Sequence, residues 1–157
     1  MVSELPTVPA VVRFPIGLAA ATVAIIAMDI VMRQLPEGVT PPNVAAGVLT
    51  GTSPDRAPRR LATVVHYLAG DGTGLLFVYF LLVAEWVLDG ASIPGIVATA
   101  VVLYALMVAF FVLVPLPRAN GIGGGRRRAI ARDWAVAAAV YLAVLVPVTV
   151  GATVAVA

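Results

Sequence analysis

Residues 93–116 read IPGIVATAVVLYALMVAFFVLVPL, a continuous apolar run without one charged side chain. The hydrocarbon core of a bilayer needs a helix of about 20 apolar residues, so this run is long enough to cross it. Three further runs, at 16–32, 61–88 and 130–156, are also long and predominantly apolar, although each contains charged side chains. In lipid each must be helical, because unpaired backbone groups there cost several kcal/mol. The sequence therefore predicts four membrane spans with these approximate bounds.

The composition of the whole chain indicates the same class of protein. Of the 157 residues, 61% are hydrophobic and 11% are charged, and the mean hydropathy is +1.03. A soluble domain of this length needs more polar surface than that. We therefore predict an all-α fold, in which residues 1–157 form a single transmembrane domain, an integral membrane four-helix bundle.

Cysteine and histidine usage narrows the chemistry. The chain has no cysteine, which excludes disulfides and thiolate sites, and it has a single histidine, His66. A haem or metal site built on histidines would need a second copy of the chain. We therefore predict no metal and no cofactor. No nucleophile–base pair is visible in the sequence, which favours a protein that is not an enzyme.

The arginines predict the orientation. All ten basic residues are arginine, and nine lie in or beside the loops between spans 1 and 2 and between spans 3 and 4: Arg33, Arg56, Arg59, Arg60, Arg118, Arg126, Arg127, Arg128 and Arg132. With four spans these loops share one side, which the positive-inside rule makes cytoplasmic, so both termini lie outside the cell membrane. Orientation in the bilayer also accounts for the pI near 9.5, and no nucleic-acid partner is expected.

The two loops differ in their predicted structure. In the first, residues 40–51 read TPPNVAAGVLTG, with Thr40 as a candidate N-cap, Pro41 at the first helical position and Gly51 at the end. This pattern predicts a short helix lying at the membrane interface. In the second, a glycine-rich stretch leads into the basic cluster Arg126, Arg127 and Arg128. The simplest interpretation of that cluster is a topogenic signal, and the alternative is a binding site for anionic lipid headgroups or a partner.

Small residues along the spans predict close helix packing. Helices in lipid have no hydrophobic drive to associate, so their contacts depend on side chains small enough to let the backbones approach. Four glycines fit this role, at Gly17, Gly70, Gly74 and Gly95. Three glycines within residues 70–74 also weaken a helix, which leaves open a break in the second span at this point.

Apart from the charged residues Glu85, Arg132 and Asp133 near span ends, three ionisable side chains are expected inside the membrane or close to its edge, namely Asp29, His66 and Asp71. Such groups are costly in lipid and usually face the bundle interior or a wet cavity. At 1.5 Å per residue, Asp29 and His66 lie at similar depths, about 6 and 8 Å from the cytoplasmic end of their spans. His66 and Asp71 point about 140° apart on a straight helix, so they share one site only if the second span is broken.

Three interpretations of these residues remain open. In the first they serve packing, with Asp29 paired to Arg33, His66 bonded across a helix contact, and Asp71 bonded to Tyr67 or Thr73. In the second Asp29, His66 and Asp71 form a proton or ion relay. In the third, which the lack of further ligands of the expected type disfavours, His66 binds a metal or a haem. Glu85 lies next to Trp86 near a span end, and we expect it to be an exposed interfacial residue outside any site.

The order of three motifs resembles a group of small membrane proteins of halophilic archaea and bacteria that includes the YagU-like proteins. The motifs are ATVAIIAMD (21–29), TPPNVAAGVLTG (40–51) and VHYLAGDGTGLLF (65–77), and the similarity covers about residues 17–82. The resemblance implies a four-helix membrane protein without an assigned activity, and it carries over no catalytic residue.

The predicted membrane spans and the few polar residues within them allow two interpretations of the function. The leading interpretation is a small multi-pass membrane protein with a non-enzymatic role, as an accessory or structural subunit. Its partners would be the lipid bilayer and either a second copy of the chain or another membrane protein. The alternative is a proton- or ion-translocating protein that uses the intramembrane aspartates and His66.

Overall fold

A computed structural model describes residues 8–157, and within that range every regular element is a helix. In chain order the elements are α1 (Ala10–Met32), α2 (Thr40–Thr50), a 3-10 turn (Pro54–Arg56), α3 (Arg59–Val87), α4 (Ile93–Leu113), α5 (Pro115–Arg118) and α6 (Gly124–Ala155). The all-α prediction is confirmed.

Four of these helices are long and apolar enough to cross a membrane, namely α1, α3, α4 together with α5, and α6. They correspond to the four predicted spans, but α1 and α6 each begin six residues earlier than expected. The predicted starts excluded the charged residues Arg13 and Arg126, because a charged side chain lowers the hydropathy by which a span is identified. Both arginines lie within the helices and pair with carboxylates.

The long helices pack in a ring. Helix α1 contacts α3 and α6, and α4 contacts the same two helices from the other side. Residues from all four meet in one buried core, which includes Ala21 and Ile25 of α1, Phe77 of α3, Leu103 of α4 and Tyr141 of α6. Half of the buried residues of α1 are alanine or glycine, so α1 lies close to both of its neighbours.

Glycines bring α1 and α3 together. A Cβ atom at Gly74 would overlap Ala21 and would lie 2.8 Å from the carbonyl oxygen of Gly17, and one at Gly17 would overlap Val78. A Cβ at Gly70 would lie 2.5 Å from the side chain of Ile25. The structure therefore places these three glycines in the α1–α3 contact.

The fourth candidate glycine, Gly95, lies elsewhere. It packs at the start of α4 against Leu88 and Ser92, and its backbone N–H donates to the Ser92 hydroxyl at 3.3 Å. Gly95 therefore shapes the turn between α3 and α4 rather than a contact between distant helices.

Helix α3 is continuous through the glycine-rich segment. It runs unbroken over 29 residues, about 43 Å at 1.5 Å per residue, so the break considered at residues 70–74 does not occur. Two of the three glycines pack against α1, and the carbonyl of Gly70 also accepts a hydrogen bond from the buried Tyr141 hydroxyl at 2.6 Å. Packing on both sides offsets the intrinsic weakness of glycine in a helix.

The predicted helix in the first loop is present as α2. It ends at Gly51, whose φ of +70° is the left-handed conformation that favours glycine at this position. Its start differs from the prediction, because Thr40 is the first helical residue and its hydroxyl donates to Glu37 at 2.6 Å instead of capping the helix. Val44 of α2 is fully buried, so α2 packs onto the bundle end formed by the first residues of α3 and by α5.

Candidate functional site

The end of the α1–α3 contact nearest the arginine-rich loops holds three of the polar residues singled out from the sequence. The Nε2 atom of His66 lies 2.7 Å from Oδ1 of Asp29, and the Tyr67 hydroxyl donates to Oδ2 of the same carboxylate at 3.1 Å. The His66 and Asp29 side chains are only 10% and 23% exposed. Both oxygens of Asp29 are therefore engaged by α3, and the contact joins the two helices.

The expected local pair between Asp29 and Arg33 is not formed. Arg33 lies just past the end of α1 and is exposed, whereas Asp29 lies one turn back, at the contact with α3. There the Asp29 carboxylate forms hydrogen bonds with His66 and Tyr67 of the neighbouring helix instead. Tertiary contacts have replaced the i, i+4 pair that helix geometry alone predicts.

Asp71 belongs to a separate contact. Its Oδ1 accepts a hydrogen bond from the Thr22 hydroxyl at 3.3 Å, whereas the Thr73 hydroxyl donates to the Ala69 carbonyl at 2.7 Å. The expected pairing of Asp71 with Tyr67 or Thr73 is therefore wrong. Because α3 is unbroken, Asp71 and His66 diverge, and within residues 8–157 no hydrogen bond joins Asp71 to His66.

At the opposite end of the α1–α3 contact lies an ion pair that the sequence reasoning missed. Arg13 is 4% exposed, and its Nη1 donates to both carboxylate oxygens of Glu85 at 2.8 and 2.7 Å, while its Nε donates to the Val8 carbonyl at 2.9 Å. The expectation that Glu85 is an exposed residue is wrong. One signal was available, because Arg13 is the one arginine placed on the outer side of the predicted topology.

We expect Glu85→Gln to lower the free energy of unfolding by about 0.5–1.5 kcal/mol, because the amide keeps one acceptor but loses the charge opposite Arg13. Unfolding by SDS in mixed micelles, followed by circular dichroism, measures this difference. The neighbouring variant Trp86→Phe is the control, since Trp86 is 84% exposed and should change little. Equal stability of the two variants would contradict the assigned role of the pair.

A second polar network ties the two arginine-rich loops together. Arg126 donates through Nε to Glu37 at 2.8 Å and through Nη1 and Nη2 to the two oxygens of Asp55, each at 2.9 Å. The backbone N–H of Glu37 in turn donates to Asp133, which is fully buried in α6, at 2.8 Å. Both loops therefore meet at the same end of the bundle.

The three arginines of the predicted basic cluster have different surroundings. Arg126 pairs with Glu37 and Asp55, and the Arg127 guanidinium donates to the carbonyls of Ile122 and Ala119, each at 3.2 Å. Arg128 is exposed. Because α6 already begins at Gly124, successive side chains project about 100° apart, so the cluster divides into three environments.

The ion pairs of Arg126 with Glu37 and Asp55 should make the stability of the protein depend on pH. Hydrogen bonding to the Arg126 guanidinium holds the pKa of Glu37 and the pKa of Asp55 below their usual values of 4.5 and 3.8. A lowered folded-state pKa stabilises the fold above the usual pKa, and this contribution is lost as pH falls through the lowered value. We expect the melting temperature in detergent to fall between about pH 5 and about pH 3, with a shallower slope for Arg126→Gln. Identical slopes would contradict this assignment.

His66 also lines a cavity between the helices. The cavity has a volume of about 430 Å³ and lies between α3 and α4, with Ile25 of α1 and Tyr141 of α6 behind it. Thr73 and Gly70 line it as well, whereas Asp71 does not. We call it the lateral cavity. The structure thus brings Asp29, His66 and Tyr67 into one cluster beside a largely apolar space, whereas Asp71 bonds to Thr22 of α1 and does not line that space.

Within residues 8–157 no group of three metal-ligating side chains is close enough to hold a metal ion. No protein-family model matches the chain, and neither a curated protein nor a solved structure shows significant similarity to it. The resemblance to YagU-like proteins gains no support from these comparisons.

Proposed function

We propose that the chain is a four-span integral protein of the cell membrane, with its arginine-rich loops in the cytoplasm, both termini outside and α2 at the interface. Four apolar helices of sufficient length support the spans. The contacts of Arg126 with Glu37 and Asp55 support the placement of both loops on one side. The concentration of nine of the ten arginines at this end supports its cytoplasmic location.

We propose further that it acts without catalysis, as an accessory or structural subunit that associates with itself or with another membrane protein. One observation carries this proposal: the ionisable side chains between α1 and α3 are used in contacts that hold those helices together. Asp29 is engaged by His66 and Tyr67, and Arg13 by Glu85. Because these groups are paired with each other, we assign them a structural role, which is to stabilise the packing of α1 on α3.

The outer surfaces support an environment of lipid or partner helices. Large apolar side chains are exposed on each of the four long helices, among them Ile26 on α1, Leu68 on α3, Phe110 on α4 and Val136 on α6. In water such a surface would be a liability, whereas in a bilayer it is the surface expected. The exposed arginines, such as Arg128, are placed to meet anionic lipid headgroups.

Purification from native membranes in a mild detergent tests the subunit proposal. We expect either a homo-oligomer of defined mass by light scattering or a partner present in constant ratio by mass spectrometry. A chain that is monomeric at every concentration tested and free of stoichiometric partners would contradict it.

Proton or ion translocation through Asp29, His66 and Asp71 is the second candidate, and the 2.7 Å contact between Asp29 and His66 is the observation that favours it. The separation of Asp71 from that contact argues against a continuous relay of all three. In liposomes carrying a pH-sensitive dye, the subunit proposal predicts no proton flux above that of empty vesicles. Flux that Asp29→Asn abolishes would support translocation instead.

A further inference from the structure

The lateral cavity has the size and lining of a binding site. Its volume of about 430 Å³ lies within the range of about 300–1,000 Å³ typical of small-molecule pockets. Ile25 and Met28 of α1 and Tyr141 of α6 form its inner wall, and Pro41 of α2 and Pro115 of α5 close the end nearest the loops. The space is therefore closed toward the core and toward the loops.

Its open side lies between α3 and α4. The lining residues that are exposed belong to these two helices, with Leu76 at 39%, Leu106 at 46% and Phe110 at 64%, whereas Ile25 and Tyr141 are fully buried. Apolar side chains surround this opening. In the proposed membrane setting, a ligand would enter from the hydrocarbon core and must be soluble there.

Among the polar side chains that line the cavity, the His66 ring has a nitrogen that makes no hydrogen bond to the described residues. The Trp134, Tyr141 and Thr73 side chains donate their hydrogen bonds to backbone carbonyls, at 3.2, 2.6 and 2.7 Å. His66 is nine-tenths buried and uses Nε2 for Asp29, but its Nδ1 makes no hydrogen bond to any of residues 8–157. Because the Asp29 carboxylate only accepts, Nε2 must carry a proton, and in the tautomer that this contact selects Nδ1 is an acceptor.

We propose that the lateral cavity binds a lipid-soluble molecule with a neutral hydroxyl head, which donates to Nδ1 of His66 while its hydrocarbon body fills the apolar space. A hydrocarbon without a head would leave Nδ1 buried and unpaired. A carboxylate head would place a second negative charge beside Asp29, and the described residues that line the cavity include no acidic side chain to bind a cationic head. Long-chain, isoprenoid and phenolic alcohols share the required chemistry.

Tryptophan quenching reports binding directly, because Trp134 lines the cavity and the chain has only one other tryptophan, the exposed Trp86. In the Trp86→Phe variant, mid-chain-brominated octadecanol should quench Trp134 saturably in detergent. The matching brominated octadecane and octadecanoate should require about tenfold higher mole fractions, the factor expected for one hydrogen bond. Equal quenching by the hydrocarbon would overturn the assignment of His66 as the head-group partner.

A matched pair of variants tests the location without disturbing His66. Ala69 lines the cavity, whereas Ala105 is exposed on α4 outside that lining. Ala69→Phe should abolish saturable quenching, and Ala105→Phe should leave it unchanged. Quenching that persists in Ala69→Phe would overturn the proposal. The inference uses the proposed membrane location only for the ligand's route of entry, and binding in detergent succeeds or fails independently of the subunit role.

Discussion

Replacing Gly74 by valine should force α1 and α3 apart and lower the free energy of unfolding by about 3 kcal/mol, the upper part of the usual range for overpacking. Even the Cβ atom of the new side chain would overlap Ala21 and lie 2.8 Å from the Gly17 carbonyl oxygen. Neither obstacle is the flexible end of a long side chain, so the helices themselves must move. Unfolding by SDS in mixed micelles measures the loss.

Gly72→Val is the matched control for this prediction. Gly72 is on the same helix, two residues away and exposed, and a Cβ there meets none of the described atoms within 4 Å. Both substitutions change backbone propensity in the same way, so their difference isolates the close approach of the helices. Equal losses in the two variants would show that Gly74 acts through propensity and not through the α1–α3 contact.

Removing the Asp29 carboxylate with Asp29→Ala should cost about 2–3 kcal/mol, because His66 and Tyr67 lose their shared acceptor at a largely buried helix contact. The matched change Asp71→Ala should cost less, because within residues 8–157 Asp71 has only the exposed Thr22 hydroxyl at 3.3 Å as its partner. The same SDS unfolding assay measures both variants.

A double-mutant cycle separates the contact from any general effect of losing a charge. Asp29→Ala combined with Tyr67→Phe should be less destabilising than the two single changes added together, with a coupling energy of at least about 0.5 kcal/mol. Additive losses, or a greater loss for Asp71→Ala than for Asp29→Ala, would contradict the cluster described here.

The helices were predictable from the sequence because each long apolar run has one backbone solution in lipid. The glycines at 17, 70 and 74 were identified by size, which is a property of the residue and not of its surroundings. For the helices and these glycines local sequence is sufficient. For Asp29 and His66 the sequence indicated only similar depths, which allowed a contact but left open whether the two side chains meet.

The contacts that the sequence did not predict have one cause in common. The register between distant segments of the chain is not determined by local sequence. The i, i+4 rule predicted an ion pair between Asp29 and Arg33, yet the Asp29 carboxylate bonds to His66, which is 37 residues away. Arg13 and Glu85 are 72 residues apart, and the pair becomes visible only after the glycine contact fixes how α1 lies on α3. The buried Asp133, bonded to the Glu37 backbone, depends likewise on the path of the first loop.

The placement of both arginine-rich loops on the cytoplasmic side of four spans is the central claim, and labelling of single cysteines tests it most directly. The chain has no cysteine of its own, so each introduced thiol reports one position. The exposed positions Arg56, Asn120, Asp89 and Ala157 sample the two loops, the α3–α4 turn and the C-terminus. In intact cells an impermeant maleimide should label Asp89→Cys and Ala157→Cys, and should label Arg56→Cys and Asn120→Cys only after lysis. Labelling of Arg56→Cys or Asn120→Cys in intact cells, or opposite behaviour of these two variants, would contradict the account.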